Sequence, residues 1–86
     1  MKLMTKRFID KSIRLSLEFD DYLVKHPELH KNIPAGAVVV VTLKSDKKFS
    51  HDSIAAVKKS YFRQPIVQAE KYKSQWTLQP LSLAAL

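Results

Sequence analysis

The sequence predicts an α/β (or α+β) domain in the order α-β-α-β-β, with two helices on a small three-stranded mixed sheet. Three observations predict it. A helical period runs from about Thr5 to His26. Two β-rich runs, "AVVVVTL" and "PIVQAEKY", are separated by one amphipathic segment. A third apolar run, "QWTLQPLSL", follows after a polar pair near Lys73 and Ser74. A strand, helix, strand order makes a parallel crossover the default, and the short turn after it predicts an antiparallel return.

In the first helix, at 100° per residue, Phe8, Leu15, Phe19 and Tyr22 share one stripe, while Ile13, Leu17 and Val24 share another about 150° away. Ser12 and Ser16 lie between them. The apolar arc is about twice the width of an ordinary surface helix, which predicts two packing partners: the chain's own sheet, and a second helix or subunit. Both stripes can alternatively be consumed inside one domain by the sheet and the C-terminal tail. Asp20 borders the apolar arc and is expected to be partly buried.

Pro27 stops the helix, and residues 28–32 are expected to make one turn. "IPAG" reads as a type I turn with Pro34 second and Gly36 fourth. Residues 37–43 are apolar without alternation, which predicts a strand covered on both faces or central in the sheet. The second helix is expected to start at Ser50 as N-cap, with Asp52 in its first turn and a Phe49/Ile54 staple. Ile54, Val57 and Tyr61 form its apolar face. Pro65 opens the next strand, and Pro80 marks an edge strand or a strand end.

Eighty-six residues make one domain, residues 1–86, with an apolar tail at 80–86. A chain this short buries only about two-thirds of its unfolded surface, and with no cysteine no disulfide can supplement that core. Of the other supports that small chains use, a metal or a partner subunit, oligomerisation is the leading candidate. The absence of cysteine, of a signal-length apolar stretch and of any membrane-span-length run predicts a cytoplasmic protein without a membrane partner.

The net charge of +7 divides into +4 over residues 1–14, −2 over 15–43, +4 over 44–63 and +1 over 64–86. Such basic blocks attract anions, nucleic acid foremost. Lys44, Lys47, Lys48, Lys58, Lys59 and Arg63 are the candidate contacts, with Tyr61, Phe62 and Trp76 as stacking groups.

No catalytic pattern is present. His26 and His30 are four apart, but Pro27 interrupts the helix that would aim both at one metal, and His51 belongs to another segment. His26 is better placed as a residue at a helix C-terminus, and His30 as a solvated turn residue. The serines lack a G-x-S-x-G setting. The lone glycine, Gly36, excludes a glycine-rich phosphate loop. The chain is read as a non-enzyme with no metal or cofactor.

The stretch "SIRLSLEFDDYLVKHPELHKNIPAGAVVVV" resembles a family of short prokaryotic proteins catalogued only as a domain of unknown function. Leu15, Ser16, Glu18, Phe19, Asp20, Tyr22 and Leu23 match its L-S-x-E-F-D-x-Y-L helix; His26, Pro27, Glu28, Ile33, Pro34 and Ala37 match the H-P-E and I-P-x-x-A that follow. Beyond residue 43 the likeness thins, because Lys47 and Lys48 stand where that family is acidic. The resemblance implies no activity.

The function is unknown at this level. The favoured reading is an interaction module acting through homo-oligomerisation, as a dimer or higher, or through a protein partner. Ile13, Leu17, Val24, Trp76, Leu81 and Leu83 are its candidate interface. The alternative is a nucleic-acid-associated protein, such as a regulator or a member of a toxin/antitoxin pair.

Overall fold

The first helix forms where the periodicity places it. In the computed structural model, which describes residues 6–60 and 63–81, α1 spans Lys6–Lys25 and a 3-10 helix spans Pro27–Asn32. Then come β1 (Val38–Leu43), α2 (Lys47–Ser60), β2 (Ile66–Tyr72) and β3 (Gln75–Leu81). The order is α-β-α-β-β, two helices and a three-stranded mixed sheet, an α+β fold. β1 runs parallel to β2, and β3 returns antiparallel through Lys73, at φ 59, and Ser74.

The sheet order β1-β2-β3 corrects one alternative for the valine-rich strand: β2 is central and β1 is an edge. An unbroken apolar run reports coverage of both faces, and both are covered here. Val41 belongs to the core with Leu15, Phe19 and Ala69. Val40 and Thr42 are also buried. Face coverage carries no information about the hydrogen-bonding edges. Pro80 lies in the other edge strand, where its missing N–H is tolerated.

Two local registers differ from expectation. The chain reversal before β1 is closed by the Ala37 N–H donating to Pro34 C=O at 3.0 Å, so Gly36 occupies the third place of the turn, not the fourth. Its φ of 78° is the positive value that a type II turn requires there. The N-cap of α2 is Asp46, not Ser50. Asp46 Oδ1 accepts the Phe49 N–H at 3.0 Å, and the first helical bond runs from Ser50 N–H to Asp46 C=O. The helix thus starts one turn earlier. Asp52 sits in its second turn, paired with Lys48 at 2.9 Å, and Phe49 enters the core instead of stapling to Ile54.

The core joins Leu15 and Phe19 of α1, Val41, Phe49, Ala69 and Trp76, with the Phe19 and Trp76 rings 5.0 Å apart. Phe8 and Tyr22 pack against it, completing the predicted inward stripe. On the other face a polar ladder crosses the strands. Gln79 Nε2 donates to Gln68 Oε1, and Gln68 Nε2 donates to Thr42 Oγ1 at 3.0 Å. The fully buried Thr42 hydroxyl is thereby satisfied.

Candidate functional site: the outer face of the first helix and its cleft

The second stripe of α1, Ile13, Leu17 and Val24, stays in solvent, and Ile9, which the periodicity places between the stripes, is exposed with it. Ile9 is 43% exposed, Ile13 55%, Leu17 64% and Val24 77%. The described part of the chain therefore does not consume both stripes. Four large aliphatic side chains in one row along a helix form the kind of patch that marks a contact surface. Asp20, expected to be partly buried, is exposed beside them.

Ile9 and Ile13 are also one wall of an open cleft of about 370 Å³ between α1, β1 and α2. Its floor includes Val39, Val40 and Val41, successive residues that alternate between sheet faces, so the cleft runs along the free edge of β1. Its walls carry four hydroxyls, Ser12 and Ser16 from α1 and Ser53 and Ser60 from α2. At one end α1 and α2 converge. There Phe8 and Phe49 rings are 5.3 Å apart, and Lys11 Nζ donates to Asp46 Oδ2 at 2.6 Å.

The edge of β1 is managed in part by α2. Val38 and Lys44 direct their N–H groups to β2, so by alternation the backbone N–H and C=O groups of Val39, Val41 and Leu43 point to the free edge. At Leu43 the Ser50 hydroxyl acts as a surrogate strand: it donates to Leu43 C=O at 2.7 Å and accepts Leu43 N–H at 2.9 Å. One turn along α2, Ser53 is 5% exposed and its Oγ has no partner among the described residues. Sequence reasoning gave Ser53 no such place, since a serine on a helix carries no sign of what its hydroxyl meets.

The other predicted interface residues fall differently. Trp76 is buried in the chain's own core at 6% exposure, which leaves it little surface for a partner. Leu81 is half-buried at the end of β3. Leu83 lies outside the described residues, as do Tyr61 and Phe62 of the proposed apolar and stacking groups.

The six candidate cations do not form one patch. Lys47 and Lys48 sit at the start of α2, Lys58 and Lys59 in its last turn, about 17 Å apart along the helix. Lys48 is paired with Asp52, and Arg63 is exposed just before β2. Lys44 instead belongs to a cluster the sequence did not single out. Its Nζ lies 4.8 Å from the ring centroid of exposed Tyr72, and Lys73 Nζ lies 5.5 Å from it.

The histidines do not converge. The His26 ring stacks on Tyr22 at 4.1 Å, with Nδ1 3.5 Å from Glu28; His30 is exposed on the 3-10 helix. None of Asp20, His26 and His30 lines the cleft. Among the described residues no cluster of three or more His, Asp or Glu is placed to hold a metal, and no helix is long and apolar enough to cross a membrane.

The pattern that these elements share with known sequences covers most of the chain. A family described as "Family of unknown function (DUF5647)" matches residues 7–75, from the first turn of α1 to the start of β3. The chain belongs to DUF5647. The match extends past the joint at residues 26–37 and past the lysines at 47 and 48, so α2 and β2 are part of what DUF5647 shares. No curated protein and no solved structure matches the chain.

Proposed function

We propose that this DUF5647 protein is an association module that works by pairing through the outer face of α1. One observation supports the reading above the others: Ile9, Ile13, Leu17 and Val24 stand in solvent as one stripe of a helix whose opposite stripe is already packed. A thin core adds to it, because a chain of this size gains from burying a second surface. Sedimentation equilibrium of the full chain at micromolar concentration tests the reading. A dimer or higher species that Leu17→Glu converts to a folded monomer is the expected result. A monomer at all concentrations up to about 1 mM, where even a binding free energy of about −4 kcal/mol would populate the dimer, overturns it.

A second reading, nucleic-acid association, draws on Tyr72 with Lys44 and Lys73 at the tip of the β2–β3 hairpin. An exposed ring flanked by cations suits a base stacked beside its phosphate. It predicts oligonucleotide binding that falls steeply with salt and weakens in Lys44→Ala/Lys73→Ala. No retention at about 50 mM salt, well below the range in which such binding is screened away, counts decisively against it.

A further inference from the structure

On the outer face of α1 five exposed residues, Lys6, Ile9, Ile13, Leu17 and Asp20, fall within an arc of about 80° at 100° per residue. Their spacings are 3, 4, 4 and 3, the same in either direction from Ile13. The chemistry is complementary about that centre. An aliphatic residue stands four positions away on each side, and seven positions away stand a cation on one side and an anion on the other. Neither Lys6 nor Asp20 has an ion-pair or hydrogen-bond partner among the described residues, which they share with Arg7, Asp10 and Arg14 of the same helix, while Lys11, Glu18, Asp21 and Lys25 are paired within the chain. Lys6 and Asp20 differ from the other unpaired charges in flanking the aliphatic row.

Resting on the association reading above, we infer that the occupant of this face is α1 of a second copy, packed antiparallel about a two-fold axis at Ile13. In that register Ile13 meets its own equivalent. Ile9 meets the second copy's Leu17 twice over, and Lys6 meets the second copy's Asp20 twice over. A symmetric contact must be self-complementary, and this row of residues is. Parallel pairing would set Lys6 beside Lys6 and Asp20 beside Asp20, a like-charge arrangement. A helix of unrelated sequence would place no such symmetry requirement on α1. Ile9 forms the lip of the cleft, so the second copy's Leu17 closes over its mouth. Val24 lies beyond the paired stretch. One helix from each copy buries less than a standard interface, so the dimer is expected to be weak and concentration-dependent.

Charge exchange at the full-chain level tests the register. Sedimentation equilibrium is run on the wild type, Lys6→Glu, Asp20→Lys, the double exchange and Leu17→Glu, with circular dichroism confirming the helix content of each. Each single reversal is expected to weaken the dimer about tenfold, since it removes two attractions and introduces two repulsions. The double exchange restores affinity to within about threefold of wild type, because the pairs reform with signs interchanged. If the single reversals leave the dimer unchanged, or the double exchange does not restore it, the antiparallel register is wrong. Should Leu17→Glu still dissociate the dimer in that case, association through α1 stands and only its geometry falls. A wild type that stays monomeric overturns both.

Discussion

Asp46 shows how much one side chain can hold in a thin domain. One oxygen caps α2 through the Phe49 N–H, and the other ties the start of that helix to Lys11 of α1. The Lys11 hydrogen bond, with the Phe49 N–H second, holds the Asp46 carboxyl below its ordinary value of 3.8, and desolvation opposes them. The unfolded chain therefore takes up its proton first as pH falls. The stabilisation is fully present above the ordinary aspartate value and is lost as pH drops through it toward the folded one. Asp46→Asn is accordingly expected to lower the melting temperature at pH 7, with the gap to wild type narrowing at about pH 3; melts at the two pH values check it. Gly36 makes a separate claim. A Cβ there would meet nothing within 4 Å, so Gly36→Ala costs only what φ 78° imposes, about 1 kcal/mol. A loss of roughly 5 °C in melting temperature is expected. Both roles sit in sequence that misleads by one position or one turn. "SDKKFS" offers Asp46 and Ser50 as equally good caps, and "IPAG" allows the turn to close from Ile33 or from Pro34. Only the packing of Phe49 and the bond from Ala37 decide between them.

The elements themselves were largely legible, because each is written in side-chain pattern. The two stripes of α1, the stop at Pro27, the hairpin at Lys73 and Ser74 and the edge position of Pro80 all follow from periodicity or from what proline cannot do. What was not legible is written in the backbone. β1 reads as a strand covered on both faces and is one, yet its outer edge is unpaired, and only Ser50 shows how the chain satisfies that edge at Leu43. The cleft is hidden for the same reason, since it arises where an unpaired edge meets two helices. The two stripes of α1 predict opposite mutational behaviour. Phe19→Ala removes a ring packed on Trp76 and is expected to cost about 3–5 kcal/mol. Ile13→Ala, on the exposed stripe, is expected to change the stability of the monomer by less than about 0.5 kcal/mol. Denaturation of both variants at low protein concentration, where association is suppressed, measures the contrast; equal losses would place Ile13 inside the core.

At the scale of the whole molecule the question is what such a small core can support alone. Among the described residues nine apolar side chains are buried, and the edge of β1 opens into a cleft next to an exposed aliphatic row. Folding free energy for a chain of this length is only about 4–13 kcal/mol, so an equilibrium that engages the native state alone contributes visibly to it. If α1 pairs with a second copy, unfolding must release that copy, and the melting temperature depends on protein concentration. A hundredfold rise in concentration across the dissociation constant is expected to raise it by roughly 5 °C. Leu17→Glu should remove that dependence while leaving the low-concentration value near wild type, because Leu17 touches little of its own chain. Calorimetry over the concentration range separates the cases. A wild-type melting temperature independent of concentration would mean that α1 does not pair with a second copy, whereas a mutant that melts low at every concentration would make Leu17 a folding residue.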